Sequence, residues 1–344
     1  MPQVCRTNSD IPELSVVVIG RNEGKRLARC LESVGTMHWA GSFEVIYADS
    51  DSTDGSPQLA QSMGARVIAA RPARPTAAFG RNAGWRQARA PFVLFLDGDT
   101  ILHRDFVTHA LGALAADPSI AVVWGHRREI ATQASVFNRV LDLDWIYPAG
   151  FTEFCGGDAL IRRSVLGEVG GYDELLIAGE EPEMCRRIRG RGYRIYHLDR
   201  PMTGHDLAMT RCLQYWRRAV RAGYAYAEVS ARFRNTGDPF WEEDVRRNRA
   251  RGALAAIGAT AALLGPLATG SFLPTVLIVL AGVGLVLRSA AKSRWRSRDW
   301  GTLLLYGIHS HLQQIPILAG QCKFLADRRK GRVRQLIEYK EAVR

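Results

Sequence analysis

Residues 14–20 (LSVVVIG) form a short β-branched run ending at Gly20, and the stretch after it, 22–34, sets Leu27, Cys30, Leu31 and Val34 at helical spacing. A strand followed by a helix is predicted. The alternation recurs, with 43–48 reading as strand, 57–63 as helix, 66–69 as strand, 77–89 as helix and 91–96 (PFVLFL) as a strand buried on both faces. Repeated units of this kind predict a doubly wound α/β domain whose parallel sheet takes its ligands beyond the carboxyl ends of the strands. Polar motifs stand at those ends: Arg21-Asn22-Glu23, Asp49 through Asp54, and Asp97-Gly98-Asp99 each follow a predicted strand directly.

A helix at 106–115 and a strand at 121–124 lead into less regular sequence, with an amphipathic stretch around 136–145 and a Gly-rich turn at Gly156-Gly157. We read this as a second part of the same domain, which extends over 1–235. Trp216, Val220, Tyr224 and Ala227 recur at helical spacing within 209–229, and a charged linker occupies 236–252.

The pattern then changes character, because residues 253–287 hold no charged side chain in 35 positions. A spanning helix needs about 20 residues, so the run fits two slightly short legs turning near Thr269-Gly270-Ser271, a transmembrane hairpin. Arg246, Arg247, Arg249 and Arg251 precede it and Arg288, Lys292, Arg294, Arg296 and Arg298 follow it. The positive-inside tendency puts both ends in the cytosol, so the expected location is the cell inner membrane, multi-pass, with the preceding domain cytoplasmic. Within the basic segment 288–344, residues 300–324 are apolar but interrupted by His309, His311, Gln313 and Gln314, and read as an interfacial or re-entrant helix.

The formal charge of +12 suggests nucleic acid until it is divided along the chain. From Arg246 to Arg344 there are 17 Lys and Arg against 4 Asp and Glu, which leaves the first 245 residues nearly neutral. A basic segment joined to apolar runs points to anionic lipid headgroups, with no nucleic-acid partner. The six cysteines, Cys5, Cys30, Cys155, Cys185, Cys212 and Cys322, form no C-x-x-C and read as reduced thiols. The first ten residues contain no apolar core of a cleavable signal.

Asp97 and Asp99 emerge at a strand end separated by a glycine, and two hard oxygen donors there can share Mg²⁺ or Mn²⁺ whose shell is completed by phosphate oxygens. An Asp-Gly turn is also a common structural choice. Asp49 lies nearest the end of its strand and can bond a base or ribose, whereas Asp54 can cap the next helix. Arg81 and Asn82 open the helix before the Asp97 strand and can face a nucleotide, and Arg81 equally suits a solvated surface position. Glu180-Glu181, beside Glu183, suit both the start of a helix and proton abstraction, since mutual repulsion raises a carboxyl pKa. His205 can complete a metal shell.

The order V-I-G-R-N-E-G, D-S-D-S-T-D-G-S, F-G-R-N-A-G, F-L-D-G-D-T, G-G-D-A-L-I-R-R, G-E-E-P-E-M-C-R-R-I-R closely resembles the family 2 glycosyltransferases over about residues 12–235, membrane-attached members included. The resemblance implies the GT-A fold, a mostly parallel Rossmann-like sheet, with inverting transfer from a nucleotide-sugar donor and a divalent metal. It also implies that Asp49 contacts the nucleobase and that Asp97 and Asp99 serve the donor phosphates and the metal. Arg21, Glu23, Arg81, Asn82 and Asp158 are read as further nucleotide-sugar contacts, and His205 as a third metal ligand. The catalytic acid pair of the family corresponds to Glu180-Glu181, with Glu181 in the position of the base. Gln214-Tyr215-Trp216-Arg217 resembles the Q-x-x-R-W signature of processive synthases with Arg218 in place of Trp, and Arg217 suits a cation on an amphipathic helix as well as a diphosphate contact. The expected acceptor is a lipid-linked molecule or saccharide in envelope glycan or exopolysaccharide assembly. A catalytically silent membrane scaffold with the same fold is the alternative.

Overall fold

A computed structural model of the chain describes residues 11–70 and 76–331. The first ten positions, with Cys5, and the basic residues of 332–344 lie outside the described residues, and so do the expectations that fell on them. The described chain divides into two compact units, one comprising residues up to Ala131 together with Trp145–Leu207, the other Thr132–Asp144 together with the chain from Ala208.

In the first unit, β1 (Leu14–Gly20), β2 (Phe43–Asp49), β3 (Arg66–Ala69) and β4 (Phe92–Asp97) pair in parallel in the order β3-β2-β1-β4. Helices α1 (Lys25–Gly35), α2 (Ser56–Ser62) and α3 (Ala77–Arg86) make the connections. The apolar side chains of these strands, among them Val16, Val17, Val18, Leu94, Phe95 and Leu96, are fully buried, each such burial contributing about 1.5–3 kcal/mol. Helix α3 lies close enough on β1 that a Cβ at Gly84 would fall 2.2 Å from Val17 Cγ1, so no larger residue fits there without moving the helix.

Beyond β4 the chain adds β5 (Thr100–Leu102), α4 (Phe106–Ala116), β6 (Ile120–Glu129), β7 (Gly150–Thr152), β8 (Ala159–Arg162), α6 (Arg163–Val169), α7 (Glu180–Gly190) and β9 (Arg194–His205). Here the parallel βα repeat gives way to mixed pairing, within the expected, mostly parallel sheet. Strand β8 lies between β4 and β6 and runs antiparallel to both, β9 runs parallel to β6, and β5 and β7 run antiparallel to β9. The first residue of β8 therefore lies near the last of β4, and loop residues preceding β8 reach the same end of the sheet as the Asp97 motif.

The second unit contains α5 (Val136–Asp144), α8 (Cys212–Phe233), α9 (Glu242–Thr269), α10 (Leu273–Lys292), α11 (Trp300–Leu312) and α12 (Gln314–Arg329). Thus 208–235, expected to close the first domain, groups with the later helices. The reason is backbone contact: a Cβ at Gly223 of α8 would lie 2.0 Å from the carbonyl oxygen of Ile317, and one at Gly320 of α12 would lie 2.1 Å from that of Val220. Gly320→Val is expected to force these helices apart at a cost of about 1–3 kcal/mol. A thermal melt in detergent reads this as an early transition; an unchanged melt would show that the helices part freely.

The charged residues expected as a linker supply the first turns of α9, with Glu242, Glu243 and Asp244 at its positive end. Helices α9 and α10 are long and apolar enough to cross a membrane, and only 6% of each apolar window is buried. The Thr275 hydroxyl donates across the hairpin to the carbonyl of Ala262 at 2.8 Å. The segment 300–324 is not one helix but α11 and most of α12, meeting at Gln313. Its histidine is explained locally: His309 is buried, 3.1 Å from Asp144 through Nε2 and 2.9 Å from the Tyr215 hydroxyl through Nδ1.

Candidate active site

The loops after β1 and β2 are knitted together by short polar side chains. Asn22, at φ 56, accepts the Thr53 N–H through Oδ1, Ser52 accepts the Asn22 N–H, and Ser56 accepts that of Gly24. Asp49 is buried in this wall, where Oδ1 accepts from the Tyr47 hydroxyl at 3.1 Å and Oδ2 from the Ser52 N–H at 3.0 Å. The N-cap of α2 is Gly55, and Asp54 takes the Ser56 N–H from one residue farther out. Arg21 is exposed, and Glu23 pairs with Arg26 at 2.9 Å with its Cγ close to Gly98.

At the end of β4, Asp97 and Asp99 come together with His205, the last residue of β9, and one potential ligand atom from each lies within 4.8 Å of the others. The antiparallel pairing of Thr100 with His205 brings the histidine there, and its Nε2 is 3.4 Å from Asp99 Oδ1. Two carboxylates and one imidazole suit a hard divalent ion of the Mg²⁺ or Mn²⁺ type, with Mn²⁺ the better match to nitrogen.

Arg81 is the centre of the site. Its side chain is 2% exposed; Nη2 donates to Asp97 Oδ1 at 2.9 Å, and Nη1 donates to Glu180 Oε1 at 3.0 Å and lies 3.2 Å from Glu181 Oε1. One buried guanidinium thus joins the Asp97 motif to the glutamate pair, 99 residues apart in sequence between Arg81 and Glu180. Burial opposes its charge, and the carboxylates of Glu181 and Asp97 more than reverse this, so that it stays protonated. Asp97 is likewise held below the usual carboxylate range, burial notwithstanding, by Arg81 and Arg127.

Glu180 and Glu181 open α7 behind Gly179, at φ 83, with no side-chain cap on the helix. Glu181 is pushed up from 4.5 to about 7, first by burial and then by the adjacent charge of Glu180, against the pull of Arg81. Glu183 pairs with Arg187 at 2.6 Å and belongs to the helix. Asn82 is wholly internal, donating to the Tyr172 carbonyl and Glu174 and accepting from Trp85 and the Tyr172 N–H. It holds the loop before α7 against α3. Arg217 is an exposed residue of α8 in the second unit.

Asp158, expected as a donor contact, adjoins Asp97, and Arg127, which is not evident from sequence, lies beside them both. Asp158 accepts the Asp97 N–H at 3.0 Å and the Thr203 hydroxyl at 2.7 Å, and burial raises its pKa to about 6 against the pull of Arg127. Arg127 lies where β6 and β9 slip register, with Nη2 3.3 Å from Asp97 Oδ2 and the guanidinium 4.9 Å from the centre of the Trp145 ring. Bulges of this kind re-aim side chains beside sites. Gly157 faces the middle of the cluster: a Cβ there would meet Arg81 Nη2 at 2.6 Å, Asp97 Oδ2 at 3.1 Å and Glu181 Oε1 at 3.3 Å. The double glycine was the available signal.

Residues 15–170 match the family model described as Glycosyl transferase family 2. Among curated relatives, "Probable glycosyltransferase YdaM" of Bacillus subtilis (strain 168) is 20% identical over 64% of this chain and 57% of its own length. "Glycosyltransferase AglE" of Haloferax volcanii is 21% identical over 54% of this chain and 64% of its own. The chain therefore spans less than two thirds of the length of these relatives. Among solved structures, a mannosyltransferase from Pyrobaculum calidifontis, in complex with GDP-Man and Mn²⁺, aligns with a TM-score of 0.67 at 20% identity, over 95% of this chain and 90% of that one. The GT-A sheet is common to both, and the likeness to glycosyl transferase family 2 extends over residues 15–170 of the chain.

Proposed function

We propose that the chain is an inverting glycosyltransferase that uses a nucleoside-diphosphate sugar and a divalent metal, working at the cytoplasmic face of a membrane on a lipid-linked or saccharide acceptor. The observation that carries this reading is the single constellation in which Arg81 links the metal-capable group Asp97, Asp99 and His205 to the carboxylates Glu180 and Glu181. Asp49, between the β1 and β2 loops, stands for the nucleobase end of the donor, and Arg21 and Glu23 flank it.

A metal bound by Asp97, Asp99 and His205 would neutralise charge on the departing diphosphate. The protein supplies the rest. Glu181 takes the proton of the acceptor hydroxyl as its oxygen bonds to the anomeric carbon, while the bond from that carbon to the diphosphate oxygen breaks and the electron pair leaves with the diphosphate. Its raised pKa suits a group that must hold a proton briefly near neutral pH. Arg81 keeps the base and Asp97 in fixed relation, so neither carboxylate can swing away when the other changes charge. Exposed apolar side chains along α9 and α10, such as Leu263, Leu267, Leu277 and Leu280, support a bilayer around the hairpin. The basic residues at both of its ends support a cytoplasmic face.

The test is a thermal-shift and turnover screen of the full chain in detergent against UDP-, GDP- and dTDP-sugars with and without Mn²⁺. One nucleotide class is expected to raise the melting temperature only with metal, because ligand binding stabilises the folded form. Asp99→Asn is expected to abolish that metal-dependent rise and to lower turnover by about 10²-fold or more. Equal stabilisation with and without Mn²⁺ in both proteins would refute the metal assignment.

A further inference from the structure

A cavity of about 120 Å³ opens beside the carboxylate cluster, its walls including Trp124, Trp145, Tyr147 and Phe154, with Arg127 and Asp158 at the edge shared with the cluster. We propose, resting on the transfer reading above, that it seats the pyranose ring of a saccharide acceptor, so that the reacting group is a sugar hydroxyl and not the phosphate of a phosphorylated prenol.

Three features favour a neutral sugar. The rings interlock edge to face, with Tyr147 5.3 Å from Trp124 and 6.3 Å from Phe154 between centroids. Their electron-rich faces attract the polarised C–H face of a pyranose, whereas a phosphate finds no partner in them. The charges at the edge cancel: Arg127 Nε is 3.7 Å from Asp158 Oδ2, and its Nη2 already binds Asp97. Sites that take a phosphate present uncompensated donors.

Position is the second feature. In the order β2-β1-β4-β8-β6-β9, the cavity residues come from β6, β9 and the segments preceding β8, on the far side of Asp97 from Asp49. A donor stretched from Asp49 to Asp97 leaves this side for the molecule that attacks. The third feature is the glutamate pair. A sugar hydroxyl keeps its proton at neutral pH and needs a base, while a phosphate monoester, with a second pKa of about 6, is already ionised and needs none.

The experiment uses the full chain in phosphatidylethanolamine/phosphatidylglycerol vesicles, with Mn²⁺ and the donor found in the screen. It is offered separately a panel of methyl pyranosides and polyprenyl phosphate incorporated in the vesicles. Transfer to at least one pyranoside is expected. Tyr147→Ala should raise its KM by about tenfold or more with kcat within about twofold, and Tyr147→Phe, which keeps the ring face, should restore it. A merely structural role for Tyr147 would lower kcat and leave KM in place. Transfer only to polyprenyl phosphate, or a Tyr147→Ala effect on the KM of the donor alone, overturns the proposal. No turnover of any donor, even to water, would instead refute the transfer reading on which it rests.

Discussion

Glu181→Gln is expected to reduce transfer by about 10²–10⁴-fold, the range for loss of a general base, while making the folded chain more stable above neutral pH. Both effects have one cause. Burial and the charge of Glu180 push the Glu181 carboxyl up from 4.5 to about 7, so the folded state binds its proton more tightly than the unfolded state does. Stability contributed by the protonated form is fully present below pH 4.5 and is lost as pH rises through 7. Glutamine keeps the shape and never ionises. The stabilisation of Glu181→Gln should therefore be small at pH 5 and grow to about 3 kcal/mol at pH 8, since each tenfold difference in proton affinity between the folded and unfolded chain is worth about 1.4 kcal/mol. Chemical denaturation of both proteins at the two pH values measures it, and kcat/KM of the wild type should fall on the acid side with an apparent pKa near 7. A variant that is inactive and less stable at pH 8 than the wild type would show Glu181 to be a structural anion.

Arg81→Met should be the most damaging single change in the first unit. It leaves Asp97, Glu180 and Glu181 facing one another without the buried cation that all three contact. Removing one partner from a buried ionic cluster costs about 3–5 kcal/mol. The sign with pH is predictable: without the guanidinium the carboxyls hold protons more tightly when folded, so the deficit should be largest at pH 8 and ease toward pH 5. Arg81→Lys keeps the charge but cannot reach all three carboxylates with a planar fork, and should fall between. Urea denaturation measures the loss; a difference of less than about 1 kcal/mol between Arg81→Met and the wild type would mean that the carboxylates are solvated independently of it.

The half of the fold built from long local signals was legible in sequence. Runs such as LSVVVIG and PFVLFL are apolar throughout because both faces are covered, and the acidic motifs follow them directly, so the positions of Asp49, Asp97 and Asp99 could be read from order alone. The later strands were not. Strand β8 is four residues long, and β9 contains Pro201 and Gly204, which argue locally against a strand and are tolerated there because register shifts against β6 relax the ladder. Arg81 could be read as a nucleotide contact or a solvated surface residue, since its partners at Glu180 and Glu181 lie across a connection that no local pattern encodes. Asn82 shows the same limit, its amide serving the loop at Tyr172 and Glu174. Likewise the apolar stripe of α8 announced a helix without saying which neighbour it would join, and the close approaches at Gly223 and Gly320 decided that.

Strand β8 runs against both its neighbours, and this reversal divides the working edge of the sheet between two stretches of polypeptide. Asp49, Arg81, Asp97 and Asp99 come from the chain up to Asp99, whereas the residues around the aromatic cavity, Asp158 among them, come after it. On that assignment, exchanges in β6 to β9 that spare Asp158 and His205 shift preference for the incoming alcohol and leave the donor contacts in place. A chimaera joined at the β4–β5 turn would take its two selectivities from different parents.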